Sequence, residues 1–188
     1  MSGGLKKIII VDDNNTNLTL CKKVLRPFYE VYPVPSAKKM FDLLNNIIPD
    51  LILLDVDMPD LNGYEAAGML KKNEAHKGIP IIFISGRVDP TSEIFGMNMG
   101  ALDYIHKPFV SELLIRRIKT YLSLVDYQKM LEEKAQAATQ VKVPLEKILS
   151  ILEEGKASQD PAFLQDCLSR AALSAVELHA LCTGAASA

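Results

Sequence analysis

Five polar side chains stand where apolar runs of this chain end. Asp12 and Asp13 follow Ile8-Ile9-Ile10-Val11, Asp55 follows Leu51-Ile52-Leu53-Leu54, Ser85 closes the run from Ile79 to Ile84, and Lys107 follows Tyr104-Ile105-His106. Three carboxylates gathered in one place repel one another, and a cation is the usual remedy. All-oxygen ligands with room for water suit Mg²⁺, at about 2.1 Å per oxygen. A lysine and a hydroxyl facing them suit a phosphoryl group, Lys107 through charge and Ser85 through a hydrogen bond. Asp55 by itself could be a metal ligand, a nucleophile or a cap on the following loop. In this company it is the natural nucleophile, forming an acyl phosphate.

That chemistry needs a scaffold that brings the five ends together. Short, wholly apolar runs read as strands buried on both faces, the habit of a parallel sheet, and open α/β sheets place ligands at the carboxyl ends of their strands. The spacing predicts strands over Leu5–Val11, Tyr29–Val34, Leu51–Asp55, Ile79–Ile84 and Ala101–His106. Helices fill the gaps. The first is capped by Asn14 or Asn15 and ends at Pro27. The second is capped by Ser36, and the third runs from about Tyr64 to Lys72. The fourth starts at Thr91 or Ser92 and stops at Gly100. The fifth begins at Ser111, with Leu113, Leu114, Ile118 and Leu122 inward. Alternating strands and helices give an α/β, doubly wound five-stranded parallel sheet with helices on both faces, over residues 5–124. Met1 to Gly4 is expected to be a disordered lead-in.

After Leu124 the pattern is helical only. Leu131, Ala135, Ala138, Val141, Leu145, Ile148 and Leu152 form one seam, with a kink expected at Pro144. A loop over Gly155–Pro161 leads to a second seam of Leu164, Leu168, Ala171, Ala175, Leu178 and Cys182, near heptad spacing. One hairpin cannot bury both seams on itself, so residues 125–188 are expected to pair with a second copy as a dimeric four-helix bundle.

Composition narrows the field. The formal net charge of -2 gives no electrostatic case for nucleic acid or an anionic membrane. No apolar run has the length of a membrane span, and the first residues lack a signal-peptide core. Cys21, Cys167 and Cys182 are widely spaced, with no Cys-x-x-Cys pair, and read as buried thiols of a reducing compartment. A cytoplasmic protein is expected.

Asp12-Asp13, Asp55, Met58-Pro59 with Asn62-Gly63, Ser85, Tyr104 and Lys107-Pro108 together resemble bacterial response-regulator receiver domains, over about Leu5 to Leu124. The resemblance implies the flavodoxin-like strand order 2-1-3-4-5 and phosphotransfer to Asp55 from a histidine kinase or phosphotransfer protein. It implies Mg²⁺ held by Asp13, Asp55 and the backbone carbonyl of Asp57, with Asp12 acting partly through water. Ser85 would move toward the phosphoryl group and Tyr104 would turn inward. Asp57 and Arg87, two residues beyond Asp55 and Ser85, would flank the mouth of the site. Paired across it, they would restrict the attacking water and lengthen the life of the phosphoryl state. His106 reads as plain surface. Asp55-Val56-Asp57 also looks like the opening of haloacid-dehalogenase-type phosphatases, but those carry their acidic pair downstream of the lysine, whereas here it lies upstream.

Thr139-Gln140-Val141-Lys142-Val143-Pro144-Leu145 resembles the phosphoacceptor box of histidine-kinase dimerisation domains. Thr139 stands in place of the phosphorylated histidine, Gln140 in place of the assisting acid, and Val143 in place of the polar residue. The segment therefore reads as a degenerate dimerisation hairpin without the chemistry of a kinase. His179, in the second helix, has no supporting motif. The expected whole is a two-component response regulator that signals through a dimeric helical module by protein–protein contact. Beyond gaining and losing its own phosphoryl group, it would have no independent catalysis. An adaptor or phosphate sink for a kinase is the alternative.

Overall fold

The computed structural model describes residues 4–156 and 160–183. Five parallel strands, β1 (Lys7–Val11), β2 (Glu30–Val34), β3 (Leu51–Asp55), β4 (Ile81–Ser85) and β5 (Asp103–His106), form one sheet in the order β2-β1-β3-β4-β5. Helices α1 (Asn15–Leu25), α2 (Ala37–Leu44), α3 (Gly63–Lys72) and α4 (Pro90–Asn98) connect them, and α5 (Ser111–Lys156) and α6 (Pro161–Thr183) complete the chain. The fold is the flavodoxin-like doubly wound sheet. Every residue of β3 and β4 is buried, which explains their unbroken apolar sequences. β2 lies at the edge, where Pro33 can pair with Ile10 without interrupting a central ladder.

Strand side chains alternate between two cores. On one face Ile9, Ile52, Leu54, Ile81 and Phe83 meet Met40 and Leu44 of α2 and Ala66 and Leu70 of α3. On the other, Ile8, Leu51, Leu53, Ile82 and Ile84 meet Leu18, Cys21 and Leu25 of α1 and Leu114, Ile118 and Leu122 of α5. Each fully buried aliphatic side chain contributes about 1.5–3 kcal/mol, and this double layer is what holds the strand ends still. The caps are local. Asn14 accepts from the Thr16 amide, Ser36 from Lys39, and Asn62 and Glu65 form a reciprocal capping box.

Several expectations shift by one position. Leu113 is exposed, because Leu114, Ile118 and Leu122 already occupy the stripe facing the sheet and a neighbour lies about 100° away. α4 starts at Pro90, with Asp89 as its cap, ahead of Thr91 and Ser92. α5 continues through Pro144 and Gly155 as one helix, so the expected loop begins later, and its residues 157–159 lie outside the described residues. Of the expected lead-in, only Gly4 is described.

The chain divides into two compact units, Met1–Leu124 and Val125–Ala188. In the second, α5 and α6 meet through Ile148, Ile151, Cys167 and Ala171, with Ser174 also buried. Gly155 faces Cys167, where an added Cβ would lie 3.4 Å from the Cys167 Cβ. Leu131, Leu145, Leu152 and Leu168 of the two expected seams are exposed in the single chain, where one hairpin was not expected to bury them. Cys182 is exposed as well, against the expectation of a buried thiol. Among the described residues no helix is long and apolar enough to cross a membrane.

Candidate functional site

The strand order sets β1, β3, β4 and β5 side by side, so the residues ending them converge at one edge of the sheet. Asp12 and Asp55 are buried, Asp13 is exposed, and carboxylate oxygens of the three lie within 4.8 Å of one another. Lys107 reaches between two of them, with Nζ 2.7 Å from Asp12 Oδ2 and 2.9 Å from Asp55 Oδ2. The loop after β3 turns back so tightly that a Cβ on Gly63 would collide with the Asp55 backbone carbonyl, and Gly63 also donates its amide to the Val56 carbonyl.

The charges in this pocket work against their burial. Loss of water raises the Asp55 pKa above the ordinary aspartate value, although Lys107 pulls the other way. Burial also disfavours the Lys107 ammonium, but its bonds to Asp12 and Asp55 outweigh that and hold its pKa above the ordinary lysine value. Cys21, beneath the site, is pushed up to about 11 by burial and then by the charge of Asp12, so it stays a thiol at neutral pH.

A second cluster lies at the ends of β3 and β4. Ser85, fully buried, donates its hydroxyl to Asp57 Oδ2 at 3.2 Å and accepts the Arg87 amide at 3.0 Å. Arg87 clasps the other Asp57 oxygen, with Nε and Nη2 each 2.7 Å from Oδ1. Tyr104 is buried, 2% exposed, so its ring already points inward, and its hydroxyl lies 3.5 Å from that of Tyr64. Tyr64 donates to the Ser92 carbonyl of α4 at 2.8 Å and packs edge-on against Phe83 and Phe95. Gly96 of α4 permits this packing, because a Cβ there would press on Phe83 at 3.0 Å and Tyr104 at 3.2 Å.

The candidate site residues of the receiver segment therefore collect in two adjoining groups: Asp12, Asp13, Asp55 and Lys107 in one, and Asp57, Ser85 and Arg87 in the other, with Tyr104 beneath α4. Thr139, Gln140, Val143 and His179, by contrast, lie on α5 and α6 of the second unit. Others were missed. The Asn17 amide donates to both Asp12 oxygens at 3.1 Å, a role foreshadowed only by its place three residues past the Asn14 cap. His106, read as plain surface, has Nδ1 2.8 Å from the Arg87 carbonyl and Nε2 3.3 Å from Glu93 Oε2. No spacing in the sequence signals that contact, since Glu93 lies on a different element.

A family model described as the response regulator receiver domain matches residues 8–119, more than half of the chain. The chain belongs to that family. Over 120 residues it is 32% identical to the sensory transduction protein BceR of Halalkalibacterium halodurans, covering 63% of this chain and 51% of that protein. Over 115 residues it is 36% identical to a probable cyclic di-GMP phosphodiesterase of Vibrio cholerae, covering 61% of this chain and 26% of that protein. The chain thus spans about half or less of these curated relatives. Among solved structures, a CheY-like receiver domain protein from Methanospirillum hungatei superposes with a TM-score of 0.62 at 30% identity, covering 66% of this chain and 99% of that one. Membership of the receiver family places the chain in two-component signal transduction.

Proposed function

We propose that Asp55 accepts a phosphoryl group from a phosphohistidine on a kinase or phosphotransfer protein, and that the chain signals as a dimer in the cytoplasm. One observation carries the first part. Asp55 is a buried carboxylate, at the end of the central strand, held by a lysine that also grips a second acid. An Asp55 oxygen attacks phosphorus; the new O–P bond forms as the donor's N–P bond breaks, and the imidazole leaves with the bonding pair. Lys107 balances charge gathering on the phosphoryl oxygens. Asp57 and Arg87, paired at the mouth, screen the aspartyl phosphate from water.

The donor set fits Mg²⁺. Three carboxylates whose oxygens lie within 4.8 Å of one another, one exposed and two buried, form an all-oxygen group open to solvent on one side. Asp13, Asp55 and the Asp57 backbone carbonyl would hold the ion, with Asp12 acting through water because Lys107 and Asn17 already occupy its oxygens. When bound, the ion neutralises negative charge at the phosphoryl group.

The dimer reading rests on the second unit. Its apolar cluster is small, and Leu149, Leu152, Leu164 and Leu168 line an open groove of about 430 Å³ beside it. The other flank carries Lys147, Glu154, Arg170 and Glu177. Packing the leucine flank, which also carries Glu153 and Lys156, against a second copy would make a four-helix bundle. The first part is tested by intact-mass measurement after incubation with Mg²⁺ and acetyl phosphate. Wild type should gain one phosphate and Asp55→Asn none; labelling of the variant would overturn the assignment.

A further inference from the structure

We propose that the Asp57 carboxylate is a latch that competes with the phosphoryl group for Ser85. The inference rests on the reading of Asp55 as phosphoacceptor and concerns the regulation of that site. Ser85 has one hydroxyl proton and is fully buried, so the proton must always have an acceptor within reach. In this structure the acceptor is Asp57 Oδ2. A phosphoryl oxygen on Asp55 would be a second anionic acceptor for the same proton, and the two cannot be served at once. Engagement of the phosphoryl group by Ser85 therefore requires Asp57 to give it up.

The latch holds more than one side chain. Arg87 grips the remaining Asp57 oxygen through two nitrogens, and its amide donates to Ser85 Oγ, so Ser85, Arg87 and Asp57 form a closed triangle. The Arg87 carbonyl is held in turn by His106, whose other nitrogen lies against Glu93 on α4. The segment between β4 and α4 is thus tied to β3's loop by side chains and to β5 by its backbone. Moving Ser85 toward Asp55 would break one side of the triangle and leave Asp57 paired with Arg87 alone. In this arrangement Asp57 is a positioning residue acting through Ser85, which is a different role from shielding the phosphoryl group from water.

Beryllofluoride tests the latch, because it mimics a phosphoryl group on the aspartate without hydrolysing. The full chain with Mg²⁺ is titrated with beryllofluoride and followed by ¹⁹F NMR, for wild type, Asp57→Ala, Ser85→Ala and the double variant. Asp57→Ala keeps the backbone carbonyl and leaves the Ser85 proton in need of an acceptor, so it should bind the mimic about 3- to 10-fold more tightly. In the Ser85→Ala background the same substitution should have no effect. Asp57→Asn, which retains an acceptor oxygen, should fall between. An equal gain with and without Ser85 would show that only the charge of Asp57 matters, and no gain at all would show that Ser85 is not held; either overturns the latch. Failure of wild type to bind the mimic would instead overturn the reading of Asp55.

Discussion

In the receiver unit every residue of β3 and β4 is buried, whereas the helical unit gathers a core of Ile151, Cys167 and Ala171 and leaves Leu145, Leu149, Leu152 and Leu168 in the open. The charges divide in the same way. The first unit buries Asp12 and Asp55 within reach of Lys107, an electrostatic cost of the kind functional sites carry. The ion pairs of the second, such as Glu154 with Arg170, stay at the surface, where such pairs add little. A sheet packed on both faces can hold unfavourable charges in place. A two-helix hairpin cannot, and its open flank instead fits it for association.

Breaking each core measures the contrast at its largest. Phe83→Ala in the full chain should cost about 3–5 kcal/mol in urea unfolding, while Ile151→Ala should cost about 2 kcal/mol or less, because the site around it is shallow and can collapse. Equal losses would mean the helical unit has a core of the same kind. If the proposed dimer forms through this flank, glutamates at Leu149 and Leu168 should next give a monomer in sedimentation velocity where the wild type is a dimer, and leave acetyl phosphate labelling unchanged. A dimer that survives them would place association elsewhere.

The electrostatic contrast has a definite sign. Because the folded pKa of Asp55 is raised, its contribution to stability is fully present below the ordinary value of 3.8 and is lost as pH rises through the raised value. In EDTA, Asp55→Asn should therefore be more stable than wild type at neutral pH, with the advantage shrinking as pH falls toward 3.8. An advantage that grows on acidification would contradict the burial account. The smallest effect concerns thiols. In the native protein Cys182 should react with maleimide well before Cys21, which is buried and has its thiol pKa pushed up to about 11.

Much of this was legible in the residues, and unevenly so. Four apolar strands ending in Asp12, Asp55, Ser85 and near Lys107 announced both the sheet and the edge where chemistry collects, because a strand buried on both faces tolerates no other pattern. Leu113 was placed on the inward stripe, one position off. On a helix, a rotation of one residue leaves apolar spacing intact, and packing against the sheet is what selects Leu114, Ile118 and Leu122. Asn17 and Glu93 were invisible for another reason. Asn17 reaches back from the first turn of α1 to Asp12, and Glu93 of α4 meets His106 of β5, and a single polar contact of either kind leaves no periodic signal.

On the proposed reading, phosphoryl chemistry belongs to Asp55 of the receiver unit, and the helices take no part in it. Peptide mapping of the full chain after incubation with Mg²⁺ and acetyl phosphate tests it in one measurement, with the adduct reduced by borohydride to fix its position. A single modified residue at Asp55, and none in 125–188, is the predicted result. Phosphate on the helical unit, at His179 or elsewhere, would contradict it.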